Sequence, residues 1–220
     1  NEWTGSAGAS IPAAPAVVSG IAYVGAEGQV AAFEAMATAG CTGTPTPCEP
    51  LWSGTAGTWV ASTPSVVGGK VYAAATDGVE GTEGALVVFD AAGIQGCSGT
   101  PKVCTPSWTA ALGGPARGSP TVVGGRVYVW SDDGSLYAFD AAGQVGCSGE
   151  PLACEPLWTA PTGGVIRNTP AVVGGVVYVG SADANLYAFD AAGTTGCSGA
   201  PVTCEPLWRA PARADVIDSP

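Results

Sequence analysis

The chain has 220 residues, enough to bury a sizeable core, and only 11% of them are charged. With 18 acids against 7 bases its net charge is −11, which sets nucleic-acid backbones and anionic membrane surfaces aside as partners. It contains no His, so Ser-His-Asp and Cys-His catalytic machinery cannot be assembled from these residues. No apolar run approaches a membrane span.

In chain order, residues 1–14 carry Trp3, which stands 12 residues before Pro15. Trp52, Trp108, Trp158 and Trp208 stand at the same interval before Pro64, Pro120, Pro170 and Pro220. Counted from Pro to Pro, four complete copies follow with periods of 49, 56, 50 and 50 residues. They occupy 15–54, 55–111, 112–161 and 162–211. The flanks are the last strand and link of a preceding blade (1–14) and the start of a following one (212–220). A period near 50 residues points to propeller blades or another repeat array. The chain starts at Asn1 without a Met, so a processed protein or a piece of a longer one is expected.

Each copy reads as four short strands. In the third copy 120–123 is the first, and Gly124 and Gly125 make a tight two-residue turn. Residues 126–130 form the second strand, SDDGS the next turn, 135–140 the third strand and 157–160 the fourth. Nearly every strand position is apolar, as in sheets covered on both faces. Length differences fall between the second and third strands, where a loop absorbs insertions.

Eight cysteines come as Cys41/Cys48, Cys97/Cys104, Cys147/Cys154 and Cys197/Cys204, one C-x6-C pair per copy. Structural zinc usually takes four ligands, often with His. Four local disulfide loops are therefore expected, and with them an oxidising setting: secreted, periplasmic or cell surface. Each loop lacks a hydrophobic run, so its bridge is expected to be its main constraint.

The run Ala138, Asp140, Gly143 and Trp158, repeated as Ala188, Asp190, Gly193 and Trp208, resembles the pyrroloquinoline-quinone-type β-propeller repeat, A-x-D-x-x-x-G-x-x-x-W. The Asp-to-Gly spacing here is one residue shorter, a disulfide loop precedes the Trp, and the first copy has Glu34 and Ala37 at the Asp and Gly positions. The resemblance implies an all-β propeller of four-stranded antiparallel blades, with Trp52, Trp108, Trp158 and Trp208 docked between blades. It also implies that Asp90, Asp140 and Asp190 tie down turns. Quinone-dependent dehydrogenases in this family carry a vicinal Cys-Cys disulfide, which this chain lacks. No quinone cofactor is expected.

In a propeller the turns between second and third strands share one face with the blade-to-blade links. On those turns lie Asp132, Asp133, Asp77 and Glu80, oxygen donors of the kind Ca²⁺ takes, although polar hairpin tips are also acidic by default. Arg117 and Arg167 occupy equivalent places in two links, three residues before Pro120 and Pro170. They either meet an anionic group or pair with acids of the adjoining blade. Trp130 breaks the repeat, which makes it a ligand candidate. The reading is a non-catalytic extracellular propeller scaffold or binding module. The alternatives are a structural subunit of an extracellular assembly completed by strand sharing, or the propeller part of a quinone-dependent dehydrogenase. The expected partners are a protein, further copies of the chain, or remaining blades of a longer chain.

Overall fold

The computed structural model describes residues 3–36, 46–76 and 84–212. Every regular element among them is a β-strand, and no helix is long and apolar enough to cross a membrane. The fold is a β-propeller array of four blades. Blade 3 shows the plan: Thr121–Val123, Arg126–Trp130, Ser135–Asp140 and Trp158–Pro161 pair antiparallel in sequence order. Blade 2 repeats it with Ser65–Val67, Lys70–Ala75, Gly84–Asp90 and Trp108–Leu112. Blade 4 uses Ala171–Val173, Val176–Gly180, Asn185–Asp190 and Trp208–Pro211. In blade 1 the second and third strands form one run, Ile21–Glu34. It folds back at Gly28 (φ +80°), since the Ala35 amide donates to the Gly20 carbonyl at 2.9 Å.

The glycine pair before each second strand shows why the chain turns there. Gly124 and Gly125 have φ of 61° and 76°, a left-handed pair that suits a tight hairpin and that side chains with a Cβ resist. The first strands of successive blades touch one another and so line the axis. Thr121 Oγ1 donates to the Pro170 carbonyl at 2.6 Å, and Ser65 Oγ donates to that of Pro120. The inner strands of blades 2 and 3 are thus hooked to the Pro that opens the next blade.

The core lies between blades rather than within them, which accounts for strands without polar alternation. Between blades 3 and 4, Tyr128, Leu136, Trp158 and Ala160 pack on Val177, Val179, Tyr187 and Phe189. Equivalent clusters join blades 1 and 2 and blades 2 and 3. Trp52, Trp108 and Trp158 are each buried at such a junction. A Cβ added at Gly93, Gly143 or Gly193 of the following blade would overlap the indole. Three tyrosines cross the same junctions: the hydroxyls of Tyr23, Tyr72 and Tyr128 donate to the carbonyls of Ala91, Ala141 and Ala191 at 3.1, 2.9 and 2.9 Å.

The cysteine loops do more than the sequence implies. Cys97–Cys104, Cys147–Cys154 and Cys197–Cys204 are bridged. Cys48 is disulfide-bonded, while Cys41 lies outside the described residues. Each of the three loops at 97–104, 147–154 and 197–204 folds as a hairpin of two-residue strands, such as Cys147–Ser148 with Ala153–Cys154. That hairpin pairs in parallel with the fourth strand of the preceding blade: Val103 with Ser53, Ala153 with Thr109, Thr203 with Thr159. The amides of Ser53, Thr109 and Thr159 donate to Lys102, Leu152 and Val202 carbonyls at 3.0, 2.9 and 3.0 Å. At the N-terminal side Trp3–Gly5 pairs in the same parallel sense with Thr46–Cys48. The bridge is therefore not the loop's only constraint; a neighbouring blade holds it as well. A hairpin so short has no sequence pattern of its own, because its partner lies about one repeat away.

Candidate functional site

Strand direction puts the links and the turns after the second strands on one face, and the links lie against those turns. The Asp132 amide donates to the Pro115 carbonyl at 2.8 Å, and the Ala182 amide to that of Val165 at 2.9 Å. Link residues 115–118 and 165–168 are thereby fixed beneath the turns of blades 3 and 4.

Most carboxylates on this face and at the blade turns are committed to the backbone. Asp140 Oδ2 accepts the amides of Gln144 and Val145 at 2.7 and 3.0 Å. Burial alone would raise its pKa, but these amides, that of Ala142 and nearby Arg126 outweigh it and hold the group below the usual value. Asp190 accepts Thr195, Thr194 and Ala192 amides and the Thr194 hydroxyl. The Thr195 amide leads in holding its pKa well down, and burial only partly opposes. Asp90 accepts Ile94 and Gln95 amides at 2.7 and 2.9 Å.

A second recurring device joins the link glycine to the turn. The Gly113 amide donates to Tyr137 Oη at 3.1 Å, and the Tyr137 hydroxyl donates to Asp133. Gly163, Tyr187 and Asp183 repeat the relay in blade 4. Burial first, then the hydrogen bond to Asp133, pushes Tyr137 up to about 12. Burial opposes the lowering of Asp183, but Tyr187, Ser181 and Asn185 prevail. Asp133 Oδ1 also accepts the Ser135 amide at 2.8 Å. Asp133 thus works as a turn lock, with both oxygens engaged.

Asp132 behaves differently. Its Oδ2 meets Arg117 Nε at 3.1 Å, and the position is Ala182 in blade 4. Among the described residues no group of three or more Asp, Glu, Cys or His gathers as a metal site. Asp77 and Glu80 lie outside the described residues.

Arg117, Arg167, Trp130 and Asp132 line one pocket of about 510 Å³. Trp130 forms its floor, 2% exposed and packed among blade 3 and blade 4 side chains. Its place depends on Gly118, where a Cβ would overlap the indole. The corresponding link residues of blades 2 and 4 are polar and do a different job. Ser62 Oγ donates to the Ala74 carbonyl and accepts the Ala74 amide at 3.1 and 3.0 Å. The Asn168 amide group does the same for Gly180 at 3.1 and 3.2 Å. Blade 3 has exchanged a polar clasp for a glycine–indole contact. Trp130 was flagged by sequence because it breaks the repeat; Gly118, equally irregular, carried no signal without knowledge of its neighbour. The other singled-out tryptophans serve the junctions, apart from Trp208, which is 44% exposed.

A family model described as outer membrane protein assembly factor BamB matches residues 104–145. Among solved structures, the chain is similar to BamB from Moraxella catarrhalis, at 17% identity and a TM-score of 0.62, over 95% of this chain and 55% of that one. It is also similar to the computationally designed Ika8 protein, at 13% identity and a TM-score of 0.62, over 93% of this chain and 50% of that one. The chain spans about half the length of each of these structures. No protein of curated function matches it. The likeness is one of fold: a propeller built from pyrroloquinoline-quinone-type repeats.

Proposed function

We propose that this chain is a non-catalytic β-propeller binding module of an oxidising compartment, taking its ligand on the face that carries the links. One observation carries the reading. Side chains that repeat from blade to blade are spent on packing and turns, whereas Trp130, Gly118 and Asp132, which break the repeat, meet on this face beside Arg117 and Arg167. Disulfides in successive blades suit an oxidising setting. The absence of His and the engagement of Asp133, Asp140, Asp183 and Asp190 with turn groups leave few groups for general acid–base work. On this reading no quinone and no Ca²⁺ is required. The test is an amide NMR map of the oxidised chain against a panel of small acids, bases and neutral sugars. Shifts gathered at 115–118, 130–133 and 165–168 support it. Shifts confined to the rim hairpins, or none with any compound, overturn it.

A second reading has its own observation. Trp208–Pro211 presents an exposed Trp and, among the described residues, no hairpin on its outer edge. A structural role, in which that strand is completed by another stretch of the same repeat, fits this edge. The name of the matched family model, an assembly factor, is in keeping with a polypeptide partner. Sedimentation that returns a concentration-dependent mass supports this role, and a strictly monomeric chain removes it.

A further inference from the structure

The pocket between blades 3 and 4 has an arrangement of charge that selects a kind of ligand; the inference rests on the link-face reading above. Arg117 spends only its Nε on Asp132 among the described residues. Arg167 is exposed and takes no hydrogen bond or ion pair among the described residues. The two residues are repeat equivalents from adjacent links, and both line the pocket. Asp132 offers one oxygen to Arg117, and no described group bonds the other.

From these observations we propose that the pocket binds a small α-substituted carboxylate, a hydroxy acid or an amino acid. The carboxylate bridges Arg117 and Arg167, and the α-hydroxyl or α-ammonium donates to the unengaged oxygen of Asp132. Each group then meets its complement: guanidinium donors face two carboxylate oxygens, the arrangement in which such bonds are strongest, and the lone acceptor faces a donor. A plain anion satisfies the arginines and leaves the second oxygen of Asp132 without a donor beside a bound negative charge. A neutral sugar leaves both arginines unmatched. Trp130 sets the floor but is too deeply packed to offer a stacking face to a ring, which further disfavours saccharides. The volume of about 510 Å³ is in the range of small-molecule sites. The net charge of −11 does not forbid an anion here, because charges beyond about 8 Å are screened at physiological salt.

Lactate, alanine and propionate make a matched test by calorimetry on the intact oxidised chain: the same three-carbon carboxylate with an α-hydroxyl, an α-ammonium or no donor. At least one of the first two is expected to bind about tenfold or more tightly than propionate. Whichever of them wins identifies the source as a hydroxy acid or an amino acid. Arg167→Gln, at an exposed side chain without a partner among the described residues, should leave the melting temperature unchanged and weaken that ligand by about tenfold or more. Asp132→Asn should bring the preferred ligand down toward propionate. Equal affinity for all three acids, indifference to Arg167→Gln at unchanged melting, or no heat up to tens of millimolar overturns the proposal. If NMR shifts still gather on the link face with some other compound, the carboxylate inference falls while the binding-face reading stands.

Discussion

Trp158 and Trp208 close nearly identical stretches, YAFDAAGQVGCSGEPLACEPLW and YAFDAAGTTGCSGAPVTCEPLW. Trp158 is 1% exposed and Trp208 44%. Trp158 sits beneath Gly193 of the next blade and beside Tyr128, whose hydroxyl reaches Ala191, and its strand receives the Thr203–Cys204 hairpin. Trp208 has Tyr178 beside it but no following blade over it among the described residues. The motif therefore supplies one half of a junction. The indole becomes core only when a DAAG turn and a cysteine hairpin from another repeat arrive, so blade stability here is a nearest-neighbour property, as in other repeat arrays.

The largest effect should come from the indoles themselves. Trp158→Ala removes a buried aromatic and should cost about 3–5 kcal/mol in urea unfolding. Trp208→Ala, on an open face, should cost under about 1 kcal/mol. Equal costs would break the comparison and show that Trp208 is covered in solution.

Next come the clasps. Replacing Cys197 and Cys204 by Ser opens a loop whose closure removes about 2.5 kcal/mol of unfolded-chain entropy. Because the hairpin is also the outer neighbour of Trp158–Pro161, its loosening should raise hydrogen exchange at the Thr159 amide, which donates to Val202. The Arg209 amide, on the open edge, should exchange fast before and after. Protection at Thr159 that survives the double substitution would mean that the strand pairing needs no bridge.

Much of this was legible in advance. The four strands of each blade and their turns follow from apolar runs cut by glycine pairs, and in blade 3 the strand ends differ from expectation by one residue. The parallel docking of each hairpin was not, because two-residue strands carry no periodicity and their partners lie in another repeat. Arg117, Arg167, Trp130 and Asp132 were each visible as candidates, but for two different ligands. Their meeting in one pocket depends on how the links run beneath the turns, a tertiary fact.

A smaller effect separates the tyrosines. Tyr128→Phe deletes a buried hydrogen bond to Ala191 and leaves that carbonyl without its donor, at a cost of about 1–3 kcal/mol. Tyr178 is the equivalent residue beside Trp208, and Tyr178→Phe should be near neutral in the same melt. A matching loss there would again point to a covering partner on blade 4.

The finest distinction is one of pH. Asp140 and Asp190 have folded pKa values below their ordinary ones, chiefly through turn amides that outweigh burial at Asp140 and lead outright at Asp190. A depressed folded pKa means the unfolded chain takes up the proton first as pH falls. Their stabilising contribution is thus complete above about pH 4, the range of an unperturbed Asp, and is lost as pH drops through the folded values. Both turns press a glycine on the indole of the blade before: Gly143 on Trp108 and Gly193 on Trp158. Acid should therefore loosen the caps over Trp108 and Trp158 while leaving Trp208, which has none among the described residues, as exposed as before. Single-tryptophan variants read by acrylamide quenching separate the cases: quenching of Trp158 should rise below about pH 4 and that of Trp208 should stay flat. Asp190→Asn should remove most of the pH dependence at Trp158 and leave Trp108, capped by the Asp140 turn, unchanged. A Trp158 response that persists in Asp190→Asn would place the acid-sensitive group elsewhere at that junction, with the Asp183–Tyr187 pair as the next one to replace.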